Sequence, residues 1–261
     1  MMNASGYGSS PYIVVGVGSG LTAVAAVHGG ADALAVYSTA TYRVRGLPTA
    51  LSFLPYENCN QVAFDALAEV MGALPQENRP PVIVGLGAHN PVENLSDLIR
   101  KARDLGADGV LNEPFISIYG EEIASTMERA GLGFGRETRM LEMAGEMGLA
   151  TFGWAFNADQ AATLAEIGVD TVGAMAGISH NTNTIDLEKE IKRLGDICDA
   201  AKARNGSCRV LGHGGPFTSP ETIGKLLAQT ELDGFATGSN IEREIVHHAV
   251  CEAVSALKRS F

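Results

Sequence analysis

The sequence predicts a single (β/α)8 TIM barrel, and three observations carry that expectation. Eight short apolar runs recur along the 261 residues, most of them followed by an amphipathic helix pattern. The runs are continuously apolar rather than alternating, as strands of a parallel sheet covered on both faces are. A Gly-X-Asp turn recurs at Gly30-Ala31-Asp32, Gly106-Ala107-Asp108 and Gly168-Val169-Asp170. Each supplies a helix C-cap glycine and then a strand entry, the αβ joint of a barrel. Such a barrel needs about 250 residues, so residues 11–261 are expected to form one domain behind a flexible polar arm at 1–10.

In chain order the strands are expected at 12–16, 33–37, 81–85, 109–112, 150–154, 170–174, 208–212 and 234–237. Gly16-Val17-Gly18-Ser19-Gly20 after the first run lacks the GxGxxG spacing, so it predicts a tight βα turn and no nucleotide cofactor. Residues 38–80 hold a loop with Arg43, Arg45, Gly46 and Pro48, then a helix from about Asn60 to Ala73. Residues 113–149 hold two helix patterns separated by Gly131-Leu132-Gly133-Phe134-Gly135. Long βα insertions sit on the catalytic face and form lids or subunit contacts. A closed homo-oligomer is therefore expected, with these insertions in its contacts.

Composition narrows the partners. Hydrophobic residues make up 46% of the chain, and no apolar run reaches the ~18 residues of a membrane span. The first ten residues show no basic and apolar signal pattern. Net charge is −11, which opposes nucleic acid and anionic membranes as partners. Cys59, Cys198, Cys208 and Cys251 have no metal-like spacing and read as reduced thiols, which suits the cytoplasm.

The anion-binding signal is near the C-terminus. Arg209-Val-Leu-Gly-His213-Gly-Gly-Pro216 and Phe235-Ala-Thr-Gly-Ser239-Asn240 each end an apolar run in small residues and a polar tip. Strands seven and eight of a barrel look this way when their loops hold an anion. A small anionic substrate is expected on the backbone N–H groups of Gly214, Gly215, Gly238 and Ser239, with Arg43 as second anchor. Ser19 and Asn240 are further candidates for substrate binding. Lys101, Lys189, Lys192, Lys202, Lys225 and Lys258 all fall in helix patterns, which opposes a Schiff-base mechanism.

His213 directly follows a strand and can serve as general acid/base or metal ligand; a structural histidine is the alternative. His89 and His180 sit in loops, where solvated roles are equally open. Glu113 closes strand four as a base, a metal ligand or a salt-bridge partner. Glu137 opens a helix, where the helix dipole alone accounts for an acidic residue. Ser38, Asn112 and Asn157 complete the polar set at strand ends. Glu242 and Arg243 read as ion-pair partners in the last helix, and His247 and His248 as structural.

Nearly the whole chain resembles the phosphoenolpyruvate hydrolase-like TIM-barrel family, which includes the C-terminal barrel of a plant tobamovirus-resistance protein. The resemblance rests on Gly133-Phe-Gly-Arg-Glu137, Leu211-Gly-His-Gly-Gly-Pro-Phe-Thr-Ser-Pro-Glu221 and Gly238-Ser-Asn-Ile-Glu-Arg243. Tyr37 with Arg43, and Leu54-Pro55, match as well. It implies a barrel with Arg43, Glu137, His213, Ser239, Glu242 and Arg243 as site or site-supporting positions. Neither the clustered aspartates with which phosphonopyruvate hydrolases and isocitrate lyase relatives hold Mg²⁺ nor the Lys-Cys-Gly-His loop that they carry is in the sequence. A divalent metal on Glu113, Glu137 or His213 is thus optional. The expected activity is hydrolase or lyase cleavage of a C–C, C–O or C–P bond in a small oxo-acid or phosphorylated compound, with His213, Glu137 and Glu113 as catalytic candidates. A non-catalytic ligand-binding or protein-interaction barrel is the main alternative. Sugar-phosphate isomerisation is a third, resting on fold alone.

Overall fold

Eight parallel strands close into a barrel in the computed structural model, which describes residues 10–177 and 186–260. They are β1 (Tyr12–Val17), β2 (Ala33–Val36), β3 (Val82–Leu86), β4 (Gly109–Asn112), β5 (Ala150–Ala155), β6 (Thr171–Met175), β7 (Arg209–His213) and β8 (Gly234–Thr237). Each strand pairs with its sequence neighbours, and β8 returns to β1 with Tyr12 opposite Gly234. The helices are α1 (Gly20–His28), α2 (Ser38–Val44), α3 (Cys59–Ala73), α4 (Leu95–Asp104), α5 (Glu121–Arg129), α6 (Phe134–Glu146), α7 (Ala158–Glu166), α8 (Leu187–Arg204), α9 (Pro220–Gln229) and α10 (Val246–Arg259). The predicted barrel is thus the observed one, with strand limits displaced by a residue or two at several ends. The expected arm and His180 lie outside the described residues, apart from Ser10.

Local chemistry sets the helix starts. Asn58 accepts from the N–H groups of Asn60 and Gln61 at the head of α3, and Ser219 forms a capping box with Thr222 ahead of α9, where Pro220 takes the first turn. The Gly-X-Asp joints are the underside of the barrel. Gly30, Gly106 and Gly168 take φ near +86°, +89° and +79°. The aspartate that follows reaches back to the preceding strand. Asp32, Asp108, Asp170 and Asp233 accept from the N–H of Ile13, Val82, Thr151 and Val210 at 2.7–2.8 Å. Each carboxylate occupies a strand-end donor that the sheet leaves unpaired.

Two apolar layers result. Val15, Val17, Val84, Val110, Val172 and Phe235 face outward onto the helices. Val14, Tyr37, Leu111, Phe152, Trp154, Met175 and Leu211 fill the interior. Phe152 and Trp154 lie with ring centroids 4.6 Å apart. A Cβ on Gly173 would fall 2.2 Å from Trp154 Cε3, so glycine on β6 is what admits the indole. This wide interior filling pushes the polar groups up to the C-terminal mouth.

Replacing Asp170 by Ala should leave the Thr151 N–H without its partner. The expected cost is ~1–3 kcal/mol, read as a Tm lowered by about 2–4 °C per kcal/mol with an unchanged far-UV spectrum.

Candidate active site at the barrel mouth

The helix α2 begins directly after β2, and six of its seven residues are buried. Helical spacing puts Thr39 and Arg43 one turn apart on one face, and both line a cavity of about 60 Å³ at the C-terminal mouth. Arg43 Nε donates to Glu242 Oε2 at 2.7 Å, and its Nη2 donates to the Gly16 carbonyl at 2.9 Å. Glu242 lies in a π-helical turn (Asn240–Ile245) after β8. Its other oxygen accepts from Gly18 N at 2.7 Å and Thr22 Oγ1 at 2.6 Å. The ion pair therefore ties the loops after β1, β2 and β8 together. It is nearly dry, with side-chain exposures of 4% and 1%. The remaining Arg43 nitrogen, Nη1, extends over Gly238, where a Cβ would come within 2.9 Å. Only the glycine leaves that nitrogen its place beside the cavity.

Glu113 follows β4 and is the one carboxyl among the described residues that line the cavity. Thr39 Oγ1 donates to it. Burial pushes its acid up to about 7, against the opposing effects of Thr39 and the Arg43 charge. His213 ends β7 with one edge open to the cavity. Its Nδ1 lies 2.7 Å from the Ala236 carbonyl. A carbonyl only accepts, so Nδ1 carries the hydrogen and Nε2 presents the lone pair. Burial, with Arg43 adding to it, lowers this imidazole to about 4. At neutral pH the ring is uncharged and serves as an acceptor. The same burial acts in opposite directions on the two groups because the carboxyl is charged when deprotonated and the imidazole when protonated. Trp154, 4.8 Å from the His213 ring by centroids, has a buried indole N–H that meets no partner at full hydrogen-bond geometry among the described residues but stands near enough to Glu113 to favour its ionised form.

The loops after β7 and β8 reach the cavity as expected, but not all of their amides are available. Gly214, Gly238, Ser239 and Asn240 line the cavity. Gly215 N donates to Gly177 O at 3.1 Å, and Gly238 N donates to Asn240 Oδ1 at 3.1 Å. These two N–H groups are occupied by the turns themselves. The amides of Ser239 and Asn240 have no such partner among the described residues and open the helical segment that follows. Ser19 caps α1 through Thr22 N and is not among the lining residues.

Glu137 is the largest departure from expectation. Its carboxylate accepts from Asn112 Nδ2 at 2.6 Å and Ile116 N at 2.7 Å, while Asn112 Oδ1 accepts from Trp154 N at 2.7 Å. Burial pushes its acid up to about 7. Yet Glu137 is absent from the described cavity lining, so of the three catalytic candidates only His213 and Glu113 share the cavity. It braces β4 against β5 and the segment after β4. Arg243 donates to the Leu47 carbonyl, and Arg45 pairs with Glu57 at 3.6 Å on the surface. Thr39 and Trp154 were not anticipated. Trp154 had a usable signal, since it stands two residues from Phe152 and shares its inward face; Thr39 had none until α2 was known to start at the strand end.

A broader hollow of about 950 Å³ opens near Tyr12 and Asp233, at the opposite end of the strands. Lys202 and Asp233 neutralise each other there at 3.0 Å, so the mouth is the better site.

A family model described as phosphoenolpyruvate hydrolase-like matches residues 2–259. The chain belongs to that family. The ToMV susceptible protein tm-1(GCR26) of Solanum lycopersicum is 30% identical over 254 residues, covering 95% of this chain. This chain spans about a third of that relative, 33% of its length. Among solved structures, oxaloacetate acetylhydrolase superposes with a TM-score of 0.62 at 14% identity, covering 95% of this chain and 82% of that one. Phosphonopyruvate hydrolase in complex with oxalate and Mg++ gives 0.61 at 11%, covering 96% and 83%. At such identities the likeness extends to the barrel.

The described residues of the cavity offer a resident Mg²⁺ few protein ligands. Among the described residues no three His, Cys, Asp or Glu side chains gather in one place. The cavity pairs a single carboxyl, itself poised to hold a proton, with a guanidinium. Mg²⁺ held by so few carboxylates takes its other ligands from water and substrate, and the adjacent guanidinium opposes a second cation there. Among the described residues no helix is long and apolar enough to cross a membrane.

Glu242→Gln should leave the Arg43 charge buried and unmatched. Loss of one member of a dry pair costs about 3–5 kcal/mol, measured by urea unfolding. The double change Arg43→Met with Glu242→Met should recover much of that loss.

Proposed function

We propose that the barrel mouth binds a small oxo-acid anion and cleaves the bond beside its carbonyl, as a hydrolase or lyase. The observation that carries this is Glu113, a carboxyl held near 7 in the same cavity as the Arg43 guanidinium. A proton-transfer group works best when its acid strength matches the working pH. The cavity has room for about four water molecules, which suits an acid of a few carbon atoms and not a nucleotide or peptide.

Arg43 Nη1 and the amides of Ser239 and Asn240 take the anionic end of the substrate. The neutral His213 accepts a hydrogen bond at Nε2 and orients water or a substrate hydroxyl. Glu113 in its ionised form removes a proton from the attacking water as oxygen bonds to the carbonyl carbon. When the adjacent carbon bond breaks, its electron pair goes to the leaving carbon, which takes the proton back from Glu113. Atoms and charges balance with water as the only co-reactant. Oxaloacetate, whose C–C bond beside the carbonyl this step cleaves, is the first substrate to assay, and phosphonopyruvate, the other acid named for a structural neighbour, tests binding of the same oxo-acid end.

A non-catalytic binding barrel is the competing function. It is favoured by Glu137, which is withdrawn into hydrogen bonds and leaves one carboxyl at the cavity. The same measurements separate the two. For the enzyme, kcat/KM should rise with pH through about 7, because the base form of Glu113 is required. Glu113→Gln should lower kcat about 10²–10⁴-fold and abolish that limb while oxo-acid binding survives. Binding of these acids by calorimetry with no turnover in the unaltered protein would establish the binding barrel instead.

Chelation gives an independent check. With Arg43 rather than a divalent cation facing the anion, dialysis against EDTA should leave turnover and oxo-acid affinity unchanged. A loss restored by added Mg²⁺ would count against this assignment of Arg43.

A further inference from the structure

We propose that the acid taken by this mouth is an α,γ-diketo acid, with a single carboxylate and an uncharged, apolar acyl end, rather than a dicarboxylate. The inference rests on the reading of the mouth as an oxo-acid site and names the class within it. Arg43 and the amides of Ser239 and Asn240 stand where β8 meets β1, and they hold one carboxylate. In the order of the closed sheet, β4 and β5 lie across the barrel from that pair. What stands on the far side therefore decides the other end of the substrate.

That far side is aromatic. Phe115, which follows β4, is buried, and half-buried Phe53 from the first insertion packs on it with ring centroids 5.5 Å apart. Phe156, directly after β5, meets Phe115 edge-on at 4.9 Å. Phe53 and Phe115 both line the cavity, and Met175 and Phe217 add further apolar lining. Such a wall accepts an alkyl or acyl group, whereas a carboxylate placed against it would lose its water without a partner.

No cation is left for a second carboxylate. Arg43 is the one Lys or Arg among the described lining residues, and Glu242 already matches its charge. On the far side Arg136 donates to the Ala88 and Glu93 carbonyls. Arg193 donates to the Phe156 and Met175 carbonyls and to Glu190. The residues outside the described ones include no Lys or Arg. The ionisable group that reaches the cavity from β4 is Glu113, and in its base form it repels a second anion.

An uncharged end must still take up the electrons of the broken bond, and a second ketone does so. Water adds to the keto carbon beside the anchored carboxylate while its proton passes to Glu113. The bond to the next carbon then breaks, and its electron pair enters the γ-ketone as an enolate. That carbon recovers the proton from Glu113. The products are hydrogen oxalate and a methyl ketone, and water is the only co-reactant. In a dicarboxylate the same electron pair would be left beside a carboxylate, which is a poorer acceptor and carries the charge that this wall excludes.

Calorimetry on the full chain compares α-ketobutyrate with oxaloacetate, which carries a second carboxylate in place of the methyl group. α-Ketobutyrate should bind at least about tenfold more tightly. Acetopyruvate, an α,γ-diketo acid with a methyl end, should be cleaved with a kcat/KM at least about tenfold above that of oxaloacetate, read by release of oxalate. Phe53→Arg, which brings a second guanidinium to the wall, should turn both preferences toward oxaloacetate. Oxaloacetate bound as tightly as α-ketobutyrate by the unaltered protein, or cleaved as well as acetopyruvate, overturns the assignment and leaves the oxo-acid reading standing. That comparison needs no variant to fold. A preference that stays unmoved in a folded Phe53→Arg protein also overturns it. Binding of none of these acids overturns the oxo-acid reading and this class together. Preferred binding of α-ketobutyrate without cleavage of acetopyruvate upholds recognition of a single carboxylate and overturns the cleavage step.

Discussion

The contact between Arg43 and Glu242 organises the upper half of this molecule. The two residues are 199 positions apart, and through them the loops after β1, β2 and β8 become one rigid unit. A buried ion pair is weak evidence for stability, because desolvating both charges offsets most of their attraction. Here its additional hydrogen bonds to Gly16, Gly18 and Thr22 satisfy what the pair alone would leave open. What the pair contributes is position. It aims Arg43 Nη1 beside Gly238, and it fixes the direction in which the chain leaves β8.

The same clamp explains the contrast among the titratable groups of the mouth. Phe152 and Trp154 form an apolar floor under Glu113 and His213. In that environment the uncharged forms are favoured, so the carboxyl rises and the imidazole falls. Arg43 keeps its charge because Glu242 matches it. The mouth therefore holds one fixed cation and two groups close to neutral. An anion placed against Arg43 would favour protonation of both Glu113 and His213, so ligand uptake and proton uptake are coupled in such a site.

The barrel was legible because its signals are local. A glycine that must take positive φ, an aspartate after it and an apolar run after that are written within six residues, as at Gly106–Leu111. The glycine-rich loops after β7 and β8 were legible in place at the mouth for the same reason. Which amides are free was not, since Gly215 and Gly238 give theirs to Gly177 and Asn240 within turns whose geometry spacing does not encode. Glu137 and Glu113 exchanged their expected weight for a related cause. Both precede or open helical segments, but the side chain of Glu137 is drawn down by Asn112 and Ile116, partners brought close only when α6 packs on β4. The clamp itself, with its partners far apart in sequence, could be read only as a general tendency of Glu242 to pair.

The choice of cation bears on the chemistry proposed for this family member. A divalent ion both binds an anion and polarises a carbonyl as a Lewis acid. A guanidinium already matched by a carboxylate does the first well and the second weakly, because part of its field is neutralised by its partner. Bond cleavage at this mouth would then depend more heavily on proton transfer. That requirement falls on the carboxyl near neutrality that also lines the cavity, Glu113, and on the neutral imidazole that can orient its proton donor. The displacement of Glu113 to about 7 and the presence of Arg43 are therefore two sides of one arrangement. A carboxyl left at its ordinary strength would be a poorer base for water, and a charged His213 would compete with Arg43 for the anion.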